Sequence, residues 1–557
     1  MNTIKDLIKY VCNIDIINKY NEYEKDLWLK LLQEINKRKA RNLYEYIKEY
    51  FNVKKIDFDE ILNIVLKSKN DNDSNHKYKI WLLKLYINSL TDFNDTYLHL
   101  IFNSLKEYSY YSFTKLYFLN IFDLKDYDRF ISERLKGLKI LLKDENSDIY
   151  EDLLLNKIKD MPSEIIYKCI TGLTYFEKEL IVKNIINYKN ISLDSIYPEL
   201  DYYVKDELIK DSFINEEIYD YIVEYKKSKI NNTVTDKFKQ LINTLNNDSE
   251  SFYKWYYSYK DIKDFINDKI DEVIQIDALG IEFASLLLNI LQDENENYLF
   301  NLHLAKVNLP SITEVNKIDK AVFIRDLDQF IHNENYYSYP KTLIKEIEII
   351  AAIARKISEK FKLGKKNILI TGDHGLSVFG ISQFLGKKRY NFNNAEHGGR
   401  YVKLQPGEIY SECEDYIVYE YQGNSYLVPI KHVSLFQIPR GESHGGATPE
   451  EVLVPVIIAK YTERKENEVY KIVVLNSLIN IKEPVITFTV DPFPPRLPVV
   501  IIENKKYNTE FDKNINKYQV NLSKLKSGKK LITIKIGSYQ QDFEIVVKGG
   551  MEVNDLL

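Results

Sequence analysis

At 557 residues the chain is too long for one hydrophobic core, and 45% hydrophobic with 29% charged residues describes a folded protein of about two to four domains. A formal net charge of −5 excludes a global basic footprint for duplex nucleic acid, leaving room only for a local basic groove. No stretch approaches ~20 uninterrupted apolar residues, so no membrane span is expected.

The opening MNTIKDLIKYV lacks the apolar core and small-residue cleavage site of a signal peptide. The cysteines, Cys12, Cys169 and Cys413, are too few and scattered for a disulfide framework or a thiolate metal site, and a reduced cytoplasmic setting is expected. Residues 1–229 read as a helical N-terminal domain: Trp28, Leu31, Leu32 and Ile35 recur at i, i+3, i+4 and i+7 in a charged background. Polar breaks such as Lys67–Lys77 separate its amphipathic stretches, and no fixed repeat period is present. This region reads equally as a plain helical domain and as a partner-docking module. The polar run KSKINNTVTDK, Lys227–Lys237, marks a boundary.

Residues 250–461 alternate strands and helices. EVIQID (Glu272–Asp277), LFNLHLAKV (Leu299–Val307) and NILIT (Asn367–Thr371) read as strands. FASLLLNIL follows the first as a helix, and Lys341–Lys362 is a long helix with Ile344, Ile347, Ala351, Ala354 and Ile357 on its inner side. The alternation predicts an α/β domain with a mostly parallel sheet. Sites in such sheets form outside the carboxyl ends of the strands, where Asp277 and Asp373-His374 stand. Residues 466–549 carry short β-branched runs, among them VITFTV, YQVNL and LITIKI, and predict a small antiparallel β-sandwich with a structural or docking role.

The chemistry concentrates in the middle region. Asp328 and His332, at i and i+4, share one helical face and can grip one cation. Asp373-His374 and His444, the latter in ESHGGATPEE, add further oxygen and nitrogen donors. Thr448, Pro449 and Glu451 read as N-cap, N1 and N3 of a short helix. A mixed histidine and aspartate set suits zinc or manganese better than magnesium or calcium. Each residue also has an ordinary reading, a capping aspartate or a hydrogen-bonded histidine, and it is their company that raises the metal reading. Between the first strand and Asp328 lies LPSITEVN, where Thr313 is a candidate nucleophile once a cation lowers its pKa, and where Ser311 and Thr313 read equally as turn and cap residues. His76, His99, His303 and His432 read as structural.

The order Asp277, Thr313 in Pro-Ser-x-Thr-x-x-Asn, Asp328-x3-His332, Asp373-His374-Gly375 and His444 resembles the ligand order of the alkaline phosphatase superfamily, and is most similar to its nucleotide pyrophosphatase/phosphodiesterase branch. HGGATPEEVLVPVI looks like the signature of one subgroup, the PglZ domain, and the resemblance spans Val273–Lys460. It implies an alkaline phosphatase-like core carrying two divalent ions, zinc or manganese. One would be held by Asp328, His332 and His444, the other by Asp277, Asp373 and His374 with Thr313 beside it. It also implies Thr313 as nucleophile and Asn316 as a donor to a phosphate oxygen. Several positions stay open: Asp326 competes with Asp328, and Ser311 or Ser285 with Thr313. His397-Gly398-Gly399-Arg400 and Lys387-Lys388-Arg389 are candidate phosphate contacts, the latter reading more readily as a solvated basic loop.

PglZ-domain proteins work in phage-defence systems of the BREX type beside an ATPase and a DNA methyltransferase. The expectation is therefore a cytoplasmic two-metal phosphodiesterase acting on nucleotide or nucleic-acid phosphoesters within such a system. Two alternatives differ in class. One is a metal-binding scaffold subunit with little turnover, and the other a phosphomutase-like or other phosphoester hydrolase of the same superfamily. A sulfatase is disfavoured, since it needs a modifiable cysteine or serine where Thr313 stands.

Overall fold

In the computed structural model, residues 22–548 are described except 39–42, 55, 71–72, 91–92, 143–149, 186–192, 248, 334–336, 365, 379–389, 437–440, 463–469, 483, 492–493, 495–496, 504, 513–516, 523–524 and 538. The opening segment with Cys12 and the Lys387–Arg389 run lie outside the described residues. The chain divides into two compact units, Met1–Pro198 and Glu199–Leu557. No helix among the described residues is long and apolar enough to cross a membrane.

Among its described residues every regular element of the first unit is helical. Trp28, Leu31, Leu32 and Ile35 are all buried, as their spacing requires. Trp28 meets Trp81 edge to face at 4.8 Å, and the hydroxyls of Tyr46 and Tyr78 pair at 2.9 Å, so these two tyrosines keep their polar tips satisfied. Asp57, Thr96, Ser109 and Thr174 cap helices by accepting from backbone N–H groups of the first turn.

The second unit is built on a six-stranded sheet: β1 (Lys260–Asp261), β2 (Glu272–Ile276), β3 (Tyr298–Lys306), β4 (Val322–Ile324), β5 (Ile368–Gly372) and β6 (Leu453–Tyr461), in the order β1-β3-β6-β5-β2-β4. The near-continuous apolar runs of β5 and β6 reflect burial on both faces. The sheet is mostly parallel, as expected, and one strand makes it mixed. β1–β3, β5–β2 and β2–β4 pair parallel, whereas β6 runs antiparallel to both β3 and β5. The reason is directional: the chain enters β6 from the edge at which β2, β4 and β5 end, so it must run the other way. Helix Lys341–Leu363 buries Ile344, Ile347, Ala351, Ala354 and Ile357 and packs on helix Ala284–Glu294.

Two further parts complete this unit. A three-stranded sheet, Val402–Lys403, Tyr416–Tyr421 and Asn424–Pro429, has no counterpart in the sequence-based expectation. Beyond β6 a four-stranded and a five-stranded sheet enclose one apolar core, with Phe488, Val500, Ile532 and Ile534 at its centre. Most of their pairings are antiparallel, and Leu478–Asn480 pairs parallel with Tyr539–Lys548. Helix Glu216–Asn231, which a boundary at residue 229 assigns to the first domain, lies in the second compact unit.

Candidate metal centre

One edge of the sheet collects the expected ligands. Asp277 follows β2, Asp373 and His374 follow β5, and helix Asp326–Asn333 starts just after β4. Thr313 opens a single helical turn, Thr313–Asn316, in the loop after β3. Because β6 runs against its neighbours, the loop before it brings His444 to the same edge. Such an edge, outside the carboxyl ends of parallel strands, is where α/β sheets hold their ligands.

The glycines around Asp373-His374 have a steric cause. A Cβ on Gly372 would lie 2.1 Å from the Leu279 carbonyl oxygen, and one on Gly375 2.1 Å from the Glu450 carbonyl oxygen. The Gly375 N–H donates to the Glu451 carbonyl at 2.9 Å, which docks the loop after β5 on the short helix Pro449–Val452. That helix carries the capping box expected of Thr448 and Glu451. Ala278, left-handed at φ +65°, turns its N–H onto Asp373 Oδ1 at 3.1 Å.

Asp277, Asp328, His332, Asp373, His374, His444 and Thr313 converge. Thr313 Oγ1 donates to Asp277 Oδ1 at 3.2 Å and lies 3.4 Å from His374 Nε2. His374 Nε2 is 3.4 Å from Asp277 Oδ1 and 3.8 Å from Asp373 Oδ1. Asp328 Oδ1 lies 3.4 Å from His332 Nε2 and 3.6 Å from His444 Nε2. The rings of His374 and His444 stack at 3.9 Å, 11° from parallel. Three overlapping groups have ligand atoms within 4.8 Å of one another: Asp277/Asp373/His374, Asp328/His374/His444 and His332/His397/His444.

These residues fit a metal. Asp328 Oδ1, Asp373 Oδ2 and His444 Nε2 are buried and have no hydrogen-bond partner, as atoms that ligate an ion would be. The histidines are also set for ligation. His374 Nδ1 faces the Gly375 carbonyl at 3.2 Å and His444 Nδ1 the Ser311 carbonyl at 3.1 Å. A carbonyl only accepts, so in each ring Nδ1 carries the proton and Nε2 is the donor atom aimed at the cluster.

The electrostatics are those of a site short of positive charge. Burial opposes a charge on His374, but Asp373, Asp277 and Asp328 outweigh it and hold its imidazolium up to about 9. Burial and then Asp277 lift Asp373 to about 6 against the pull of His374. Burial and then His374 and His397 push His444 well below the usual histidine range, and burial with His332 and His374 puts His397 down to about 4.

Other expected residues lie elsewhere. Asn316 spends its amide on the loop: Nδ2 donates to the carbonyls of Asn308 (2.9 Å), Ile312 (3.2 Å) and Pro310 (3.3 Å), and Oδ1 accepts from Asn308 N at 2.7 Å. It therefore braces the turn that carries Thr313. Ser311 Oγ is held by the Gly446 carbonyl (2.7 Å) and Gly445 N (3.0 Å), and Ser285 Oγ donates to the Tyr202 carbonyl at 2.6 Å. Asp326 is exposed and belongs to none of the ligand groups. Arg400, a candidate phosphate contact, is fully buried and bound to Glu451, because the fork of its guanidinium already has a carboxylate.

Sequence reasoning missed Glu450 and Glu451 as buried carboxylates. Tyr221 and Ser377 donate to Glu450 at 2.7 and 2.5 Å, and burial with the neighbouring Glu451 lifts it to about 7. The capping pattern was the available signal for Glu451. Nothing local marks Glu450.

No protein-family description matches the chain, and no match to it was found among the curated proteins. Among solved structures it is similar to murine ectonucleotide pyrophosphatase/phosphodiesterase 5, seen alone and as an inactive variant in complex with AMP. The identity is 13% and the TM-score 0.17, over 32% of this chain and 52% of that one, so the match spans about half of that protein. A second likeness, to domains 1–6 of the surface layer protein SbsC, has 10% identity and a TM-score of 0.13 over 99% of this chain and 86% of that one.

Proposed function

We propose that this protein is a metal-dependent phosphoester hydrolase, and specifically a two-metal phosphodiesterase of the PglZ type that acts on nucleotide or nucleic-acid phosphoesters in bacterial phage defence. One observation carries this reading: Thr313 Oγ1 sits 3.2 Å from Asp277 and 3.4 Å from His374, at the rim of a cluster in which Asp328 Oδ1, Asp373 Oδ2 and His444 Nε2 are buried without a hydrogen-bond partner. Asp277, Asp373 and His374 would hold one ion, and Asp328, whose Oδ1 lies 3.4 Å from His332 and 3.6 Å from His444, would hold the other with those two histidines, zinc or manganese being suited to the donor set. When bound, such ions lower the pKa of a hydroxyl and offset charge on phosphoryl oxygens.

The chain's own residues supply the rest. Asp277 Oδ1 accepts the Thr313 hydroxyl proton's hydrogen bond, which fixes the rotamer and leaves a lone pair for attack on phosphorus. Asn316 keeps the turn rigid, so Thr313 is held on a braced loop. Asp373 Oδ1 is itself oriented by Ala278 N, and His374 and His444 by backbone carbonyls. Partner proteins such as an ATPase and a methyltransferase, and a cytoplasmic location, belong to the same reading through the PglZ resemblance.

The test is elemental analysis of purified protein, followed by hydrolysis of bis-p-nitrophenyl phosphate before and after chelation. More than one metal equivalent and chelator-sensitive diester cleavage are expected. Protein that takes up no zinc or manganese would end this reading. Metal without turnover, in the presence of partners as well as alone, would favour the scaffold.

A further inference from the structure

We propose that His397 is a fourth protein ligand of the ion held by Asp328, His332 and His444, making that position a three-imidazole, one-carboxylate site. The proposal rests on the metal-centre reading above and extends it to a residue outside the expected ligand order.

The geometry comes first. The His397 ring centroid lies 4.2 Å from that of His444 and 5.6 Å from that of His332, and the His332 and His444 rings are 5.7 Å apart. The ligand nitrogens of all three fall within 4.8 Å of one another. Two nitrogens on one zinc, each ~2.1 Å away, are at most ~4.2 Å apart, so a small inward rotation closes the set. His444 Nε2, buried and without a hydrogen-bond partner, already points into it.

The backbone adds an independent observation. His397 is left-handed at φ +47°, followed by Gly398 at +68° and Gly399 at +89°. A non-glycine residue held there persists because its surroundings impose it, and such outliers cluster at ligand sites. Here the surroundings are explicit. Gly399 N and Arg400 N donate to the Glu396 carbonyl at 2.8 and 2.9 Å, Leu435 N donates to the Gly399 carbonyl at 2.8 Å, and Ser434 Oγ donates to the Gly398 carbonyl at 3.2 Å. The loop is pinned on both sides of the histidine, and what it presents is an imidazole.

Donor chemistry then separates the two positions. Three imidazoles and one carboxylate favour zinc or cobalt, whereas two carboxylates, one imidazole and a hydroxyl at the Asp373 position tolerate harder manganese. Zinc is therefore expected to fill the histidine-rich position first.

The experiment is a cobalt(II) titration of chelator-stripped, full-length protein, followed by visible d–d absorption, for wild type and His397→Asn. Asparagine tolerates the left-handed backbone, so the loop keeps its shape. His397→Gln and thermal melting of both variants guard against misfolding. Two binding steps are expected in wild type. In both variants one step should weaken by at least ~10-fold and change its spectrum while the other stays fixed. Two steps of unchanged affinity and spectrum in folded His397→Asn would overturn the proposal and leave the metal centre standing. No cobalt binding by wild type would overturn both.

Discussion

Arg400 and Glu451 meet fork to fork, Nε on Oε1 at 2.9 Å and Nη2 on Oε2 at 2.7 Å, with both side chains fully buried. The pair joins two loops that each carry a histidine. Arg400 lies just after His397, while Glu451 also accepts from Gly446 N at 3.1 Å and from Thr448, on the loop of His444. Burial disfavours the Glu451 carboxylate, but Arg400 more than offsets it and holds the group below the usual carboxylate range. Arg400 Nη1 further donates to the Val433 carbonyl at 2.5 Å.

Removing one member of such a pair leaves the other charge buried alone. Arg400→Met is expected to cost about 3–5 kcal/mol of stability. Arg400→Lys is expected to recover only part, since an ammonium cannot reproduce the bidentate fork. Thermal melts of the metal-free proteins measure this. An unchanged midpoint in Arg400→Met would show that the clamp is not what holds the two loops.

The pH dependence follows from His374. Its folded-state value, about 9, lies above the ordinary 6.5, so its stabilisation is complete below pH ~6.5 and is lost as pH rises through 9. The size is on the order of 3 kcal/mol at ~1.4 kcal/mol per pKa unit. Asp373, up to about 6, has the same sign at lower pH. Metal-free protein is therefore expected to melt progressively lower between pH 6.5 and 9. Zinc binding near pH 7.5 should release about one proton, because His374 must surrender its own to ligate. Titration calorimetry in two buffers of different ionisation heat reads that proton. Buffer-independent heats with a flat melting profile would refute the assignment.

Much of this centre is visible in the sequence because strand periodicity ends where the chemistry begins. The buried β5 run stops at Gly372 and delivers Asp373-His374, and the Asp328-x3-His332 spacing marks one helical face. Long-range pairing is what local reading lacks. Arg400 in His-Gly-Gly-Arg reads as a phosphate contact, and its partner lies 51 residues on. Asn316 reads as a substrate donor because the sequence does not show that its loop folds back to offer three carbonyls. The antiparallel β6 was hidden for a related reason: VLVPVI is apolar in either direction, and only the position of His444 decides which way it runs.

Thr313 is expected to act through its hydroxyl alone. Thr313→Ala should lose at least ~10²-fold in diester hydrolysis while retaining its metal content. Thr313→Ser keeps an Oγ within reach of Asp277 and should retain measurable turnover. The wild type is expected to prefer bis-p-nitrophenyl phosphate over the monoester. Equal rates for wild type and Thr313→Ala would remove Thr313 from the mechanism. Ser311 would be a poor substitute, since its Oγ is already committed to Gly446 and Gly445.

The last prediction concerns Lys229, which reads in sequence as part of a polar linker. Its ammonium is fully buried, 3.1 Å from Glu282, 2.9 Å from Glu346 and 2.6 Å from Glu442, the last of these just before His444. Burial disfavours the charge, yet the three carboxylates prevail and hold it well above the ordinary lysine value. Burial and then Glu442 push Glu346 well above the carboxylate range, so the node is one cation among acids that cannot all ionise. Helix Glu216–Asn231 thus supplies the counter-charge for the loop of His444, and Tyr221 on the same helix reaches Glu450 at 2.7 Å. A chain beginning at Glu199 keeps this helix and is expected to fold, bind metal and cleave a small diester near the full-length rate. A chain beginning at Asn232 loses Lys229 and strands three acids in the interior, as does Lys229→Met in the full chain, at a cost of about 3–5 kcal/mol. Circular dichroism and metal content, measured together, separate the cases. Should the Asn232 chain fold and bind metal like the Glu199 chain, Lys229 would be dispensable and the compact boundary would not matter to the site. Should the Glu199 chain fold but lose its metal, the helices before it would be shaping the centre.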